Sequence, residues 1–127
     1  MRYNAYNSNQ SWNILLHPEV VFWLKSQNDS DFMRIRKALD ALHMVGPNLG
    51  RPYVDRLKGS KLHNMKELRP NGTNIKLLFV FDPKRSAIVL VAGDKTNNWS
   101  AWYKSNIPIA EERYSEHLRE LEGDENG

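Results

Sequence analysis

Cysteine is absent from this sequence. Disulfides and thiolate metal sites are therefore excluded, and the fold must be held by its own core. No apolar run approaches the ~20 residues that span a bilayer. The opening segment, "MRYNAYNSNQ", lacks the apolar stretch of a secretion signal. Together these make the cytoplasm the expected compartment, with no membrane partner. Histidine is sparse, with four residues scattered along the chain, so no metal-ligand spacing emerges and no cofactor is expected. A glycine loop of the Walker type is missing, which removes that route to nucleotide binding. There are no internal repeats.

What is present suits a single domain. The chain has 127 residues, 40% of them hydrophobic, which is enough for a modest core. The net charge of +3 is unevenly spread. Residues 111–127 carry seven acidic and two basic side chains, leaving 8 acidic and 16 basic in residues 1–110. A body twice as basic as acidic attracts polyanions, nucleic acid first. The other reading is a solvated surface with an acidic tail for solubility.

Periodicity places the elements. Residues 1–11 read as a flexible polar tail. "WNILL" is a short first strand. "HPEVVFWLKSQ" has proline at a helix start and Glu19 in the first turn. "NDSDFMRIRKALDALHMVG" is the clearest helix, capped by Asp29 or Ser30, striped by Phe32, Ile35, Leu39 and Leu42, and stopped at Gly46-Pro47. Residues 46–60 read as a basic loop rich in glycine and proline. Strands follow at 62–69 and 74–82, joined by the turn "PNGT", and a third at "SAIVLVAG", apolar on both faces and so covered. "WSAWYKS" reads as a helical turn, and "NIPIAEERYSEHLREL" as a final helix capped by Asn106 with Ile107, Tyr114, Leu118 and Leu121 as its stripe. Residues 122–127 read as a disordered acidic tail. Hairpin-linked strands beside segregated helices define an α+β domain over 12–121. Its expected form is a small twisted, mainly antiparallel sheet with an N-terminal helical hairpin and a C-terminal helix. Trp12, Phe22, Trp23 and Phe32 read as core, His17 and His43 as helix-end residues, and His117 as part of a solvated helix face.

The segment "KLHNMKELRPNGTNIKLLFVFD" poses a question of orientation. Alternation sends Leu62 and Leu68 to one face and His63, Met65, Glu67 and Arg69 to the other. An imidazole, a carboxylate and a guanidinium are costly to bury unpaired, so this row is expected to face solvent, a groove or a partner. Pairing 69 with 74 would set Glu67 opposite Lys76 as favourable cross-strand neighbours.

The stretch "LKGSKLHNMKELRPNGTNIKLLFVFDPKRSAIVLVAGDKT" resembles the HigB branch of the RelE/ParE toxin superfamily. The carrying residues are Glu67-Leu68-Arg69, Lys76-Leu77-Leu78-Phe79 and Gly93-Asp94-Lys95-Thr96, with the helical hairpin before them. The resemblance spans roughly residues 12–121. It implies a RelE-like fold and the role of toxin in a type II toxin–antitoxin system. Most HigB-like and RelE-like members cut messenger RNA on the ribosome, whereas ParE-like members inhibit DNA gyrase. A non-catalytic relative that still binds an antitoxin is a third reading. The implied partners are a cognate helix-turn-helix antitoxin, the ribosome and messenger RNA. Lys76 stands where the family pattern carries arginine, so the charge survives without the bidentate fork.

RNA cleaves when its 2′-hydroxyl attacks the adjacent phosphate, which requires proton removal, charge stabilisation and protonation of the leaving oxygen, without need of a metal. Arg69 is the candidate phosphate clamp, with a structural pair to Glu67 as the alternative. Lys76 would share the charge. His63 is either the titratable group or a surface histidine. Glu67 would act as a base or as a partner to Lys76 or Arg69. Lys95 completes the catalytic candidates. Lys58, Lys61 and Tyr103 are candidates for RNA binding, while Trp99 and Trp102 either stack on bases or pack a helix on the sheet.

Overall fold

The computed structural model describes residues 3–4, 11–62, 64–94 and 97–126, the first pair and residues 124–126 by backbone alone. Six strands form one sheet: β1 (Tyr3–Asn4), β2 (Asn13–Leu16), β3 (Val54–Arg56), β4 (Lys66–Leu68), β5 (Ile75–Phe81) and β6 (Ser86–Asp94). Their order across the sheet is β1-β2-β6-β5-β4-β3. Among the described residues only the β2–β6 pair is parallel. Helices α1 (Pro18–Lys25) and α2 (Asp29–Val45) cover one face, and α3 (Trp99–Asn126) covers the other. The α+β architecture expected from the hairpin-linked strands is the one observed.

Local chemistry fixes the helix starts. The His17 side chain accepts from Glu19 N–H at 3.1 Å, and Pro18 opens α1. Asn28, one residue before the expected caps, accepts from Asp31 N–H at 2.8 Å and starts α2. Gly46 ends α2 at φ 70, with the Trp12 indole so close that a Cβ there would lie 2.3 Å from it.

Two cores lie back to back. Ile35, Leu39 and Leu42 of α2 pack with Leu68, Leu77 and Phe79 on the hairpin face. Leu78, Val80, Ile88 and Leu90 pack with Trp102, Ile107 and Tyr114 on the α3 face. Leu78 pairs with Val91 and Phe79 with Val89, so Leu90 is the extra residue of a bulge. Leu90 and Val91 therefore both join the α3-side core.

Several expectations need correction. The 46–60 segment contains a strand, β3, paired with β4 through Val54 and Leu68. The expected strand 62–69 contracts to 66–68, so Leu62 packs on the α3 side and not beside Leu68. Glu67 is opposite Leu78 and not Lys76, a register two residues from that expected. Thr73 explains the shift: its hydroxyl donates to Pro70 C=O at 2.8 Å and accepts from Ile75 N–H at 3.1 Å, lengthening the turn.

The C-terminal helix is longer than anticipated, running unbroken through Pro108. Asn106 is no cap; its amide donates to Trp102 C=O at 2.9 Å. The start is capped instead by Asn98, which accepts from Ala101 N–H at 3.1 Å. Docking of Trp102, Ile107, Ala110 and Tyr114 on the sheet outweighs the hydrogen bond that Pro108 cannot make. Residues 122–126, expected to be disordered, continue this helix. Residues 3–4 of the expected tail form β1 against Leu15 and Leu16. Phe22 and Phe32 are surface residues, 75% and 42% exposed, because they fall off the buried stripes of their helices. His117 is buried, with Nε2 2.8 Å from Asp82 Oδ2. Among the described residues no helix is long and apolar enough to cross a membrane.

Candidate functional site

The site lies where β4, β5 and the start of α3 converge. Glu67 is at its centre. It points to the α3 face, and its side chain is 3% exposed. The expectation that this row would face solvent fails here, because three neighbours supply the pairing that burial demands. Arg69 Nε donates to Glu67 Oε2 at 2.7 Å. Tyr103 OH donates to Oε1 at 2.8 Å. Lys76 Nζ lies 3.4 Å from Oε2 and donates to the Tyr103 hydroxyl. Lys76 thus reaches Glu67 diagonally across the pair of strands despite the shifted register.

The aromatic residues at the start of α3 form the wall. Lys76 Nζ sits 4.4 Å from the Trp99 ring centroid and 4.9 Å from that of Tyr103. Trp102 packs edge-on against both Trp99 and Tyr103. Gly93, paired with Lys76 across the sheet, makes room for this cluster: a Cβ there would lie 2.3 Å from the Trp102 indole. The three aromatic residues pack α3 onto the sheet, and Tyr103 also reaches the polar cluster.

Electrostatics follow from these contacts. Its hydrogen bond to Glu67 is the largest influence raising the Arg69 pKa, with the Glu67 and Asp55 charges adding to it. The guanidinium stays charged. Burial, then the hydrogen bond to Glu67, pushes the Tyr103 phenol far above its ordinary value, so at neutral pH it is a proton donor. The Arg56 backbone N–H, followed by the Arg51 and Arg69 charges, holds the Asp55 carboxyl below its ordinary value.

Arg69 is 43% exposed and opens onto a groove of about 520 Å³, lined also by Arg51, Arg56, Lys58, Glu67 and Tyr103. Asp55 lies 3.5 Å from Arg69 and 3.3 Å from Arg51, linking the two cations along one wall. A second groove of about 450 Å³ lies between Lys58, Lys61 and Tyr103. The structure therefore brings Glu67, Arg69, Lys76 and Tyr103 into direct contact, with Lys58 and Lys61 exposed on the β3–β4 connection beside them. His63 and Lys95 lie outside the described residues. Arg51, Asp55 and Arg56 were missed because β3 is only three residues long and carries no strand-like alternation of apolar side chains.

This arrangement of a hairpin-covered sheet and a C-terminal helix is a RelE-like fold. The fold matches a chain of the archaeal RelE–RelB complex from Pyrococcus horikoshii OT3, with a TM-score of 0.52 and 18% identity over 65% of this chain and 92% of that one. Residues 22–115 match the family described as phage derived protein Gp49-like. Two similar proteins come from Mycobacterium tuberculosis (strain ATCC 25618 / H37Rv). One, named as toxin HigB3, is 48% identical over 110 residues, covering 87% of this chain and 96% of that protein. The other, named as toxin HigB2, is 41% identical over 103 residues, covering 79% of this chain and 51% of that protein. The chain belongs to the Gp49-like family and is HigB-like.

Proposed function

We propose that this protein is the toxin of a type II toxin–antitoxin pair and that it cuts messenger RNA on the ribosome, in the cytoplasm. The observation that carries the reading is the contact of Arg69, Lys76 and Tyr103 around Glu67, at the mouth of a groove with three more cations. In the reaction the 2′-oxygen bonds to the adjacent phosphorus and the bond to the 5′-oxygen breaks. A 2′,3′-cyclic phosphate and a 5′-hydroxyl result. Arg69, held in orientation by Glu67, and Lys76 meet the charge that builds on the phosphate. Tyr103 is protonated, and by turning its one proton from Glu67 it can donate to the phosphate or to the leaving oxygen. His63, next in sequence after Leu62, is the proposed acceptor of the 2′-hydroxyl proton, and Lys95 a further cation. Lys58 and Lys61 hold the RNA backbone. A helix-turn-helix antitoxin is the proposed partner that silences the site.

One observation favours a second reading. Both oxygens of Glu67 are already partnered, as a purely structural cluster would have it. On that reading the chain is a ParE-like gyrase inhibitor or a non-catalytic antitoxin-binding relative. Inducing the protein without its antitoxin separates these outcomes. Growth arrest with new 5′ ends inside translated messages supports cleavage. Arrest with intact messages and lost supercoiling activity supports gyrase inhibition. Normal growth at verified soluble expression contradicts an active toxin.

A further inference from the structure

The β3–β4 connection, residues 57–65, carries Lys58 and Lys61 but has little structure of its own. Within it, a backbone hydrogen bond runs from Met65 N–H to Leu62 C=O, at 3.2 Å. Met65 sits in the α3-side core and Leu57 and Leu62 rest against it, whereas Lys58, Gly59 and Lys61 between them are exposed. Such a segment would sample many conformations unless something fixed it.

Between these apolar anchors, the carboxylate of Glu111 restrains the stretch that carries the lysines. Glu111 Oε2 accepts from Lys61 N–H and from the Ser60 hydroxyl, the latter at 3.0 Å. Ser60 Oγ in turn accepts from Leu62 N–H at 3.0 Å, so the restraint extends along the connection. Glu111 lies on α3, eight residues beyond Tyr103 and four beyond Ile107. At 3.6 residues per turn this is one helix face, spanning about 12 Å. The face that presents Tyr103 to Glu67 also grips the connection, and Tyr103, Glu111 and the connection border the same groove.

We propose that Glu111 is a positioning residue for RNA binding. It fixes the 57–65 connection against α3 so that Lys58 and Lys61 meet the RNA backbone in register with Arg69 and Tyr103. This rests on the cleavage reading above. It also opposes what charge alone would suggest. A carboxylate beside two lysines lowers the local positive potential, so removing it should tighten RNA binding if electrostatics dominated. Positioning predicts the reverse, because unrestrained lysines lose the geometry and gain conformational freedom.

Glu111→Gln keeps an acceptor oxygen and loses the charge; Glu111→Ala loses both. Cleavage on translating ribosomes and amide exchange across 57–65 are measured on the same purified proteins. Glu111→Ala is expected to raise KM about tenfold with kcat nearly unchanged, the signature of lost uniform binding. Exchange at Lys61 should accelerate in step, and Glu111→Gln should return both to near the parent values. An alanine variant with faster exchange but an unchanged or lower KM overturns the proposal. So does an alanine variant whose exchange stays at the parent rate, because the restraint would not then exist. A parent protein that cuts no message sinks the cleavage reading itself, and the role of Glu111 in RNA binding falls with it. The exchange data alone then report whether the connection is gripped.

Discussion

The two faces of the sheet are built on different terms. Under α1 and α2 the buried side chains are hydrocarbon throughout, from Ile14 to Val89. Under α3 the core shares its space with Glu67, Asp82, Ser86 and His117, all buried, and with the Tyr103 hydroxyl. The hydrocarbon face needs only volume and pattern, so many sequences would serve it. Every buried polar group on the other face needs a particular partner at a particular distance, and a buried ion pair adds little net stability to offset that demand. Glu67 shows what is obtained instead: a guanidinium, an ammonium and a phenol held in fixed relation at the edge of a groove. At the far end of α3, Asp82 accepts from Ser86 N–H at 2.9 Å and from Lys84 N–H at 2.8 Å while pairing with His117. It thereby ties the β5–β6 turn to the helix that carries Tyr103. One face keeps the fold, and the other sets the geometry of the site.

That division can be broken by substitution. Leu42 is wholly buried on the hairpin face, and Leu42→Ala should cost about 2–5 kcal/mol. Thermal melts should show this loss, while the cleavage rate per folded molecule holds. Gly93→Ala sets a methyl against the Trp102 indole, and overpacking of this kind costs about 1–3 kcal/mol. Here the rate should fall as well, because Trp99 and Tyr103 move with Trp102. An alanine variant with parental stability and rate would show that this contact positions nothing.

The smallest effect is the most selective for one face. Burial raises the pKa of both Tyr103 and Tyr114, and both lie on the α3 side. Their protonated forms are the ones the fold favours. Their contribution is intact below the unfolded value of 10.0 and is lost as pH rises from there through the folded values. Denaturation midpoints should therefore decline above about pH 10. Tyr103→Phe should make that decline shallower, at a cost near neutral pH of about 1 kcal/mol for the lost hydrogen bonds. An equally steep decline in the variant would place the alkaline sensitivity elsewhere.

The same contrast explains what could be read from the sequence. The hairpin face was legible because hydrophobic period and helix caps are local signals: Ile35, Leu39 and Leu42 recur as a helix requires, and β6 is apolar on both sides. The site was legible in its members and not in its form. Arg69, Lys76, Glu67 and Tyr103 stood out by charge, by resemblance or by a hydroxyl near a polar strand. Only the chain's return through β3 and α3 shows that Glu67 is buried and that Tyr103 binds it across 36 residues. His117 escaped for the same reason. Its partner, Asp82, is 35 residues away, and a histidine among glutamates in a helix looks solvated until the helix docks. Asn106 and Pro108 misled in the opposite sense: cap residue and first-turn proline together read as a helix start, which tertiary packing overrode.

On the cleavage reading, the cluster around Glu67 serves to present Arg69 to a phosphate. Arg69→Ala, assayed for both melting temperature and message cleavage per folded molecule, tests it most directly. Losing one preorganised charge of this kind should lower the rate about 10²–10³-fold. Stability should change little, because the side chain is 43% exposed and Lys76 and Tyr103 still satisfy Glu67. Arg69→Lys should recover only part of the rate, since an ammonium lacks the planar fork. A folded Arg69→Ala protein that melts lower but cuts at the parent rate would contradict the account and make the cluster a structural one.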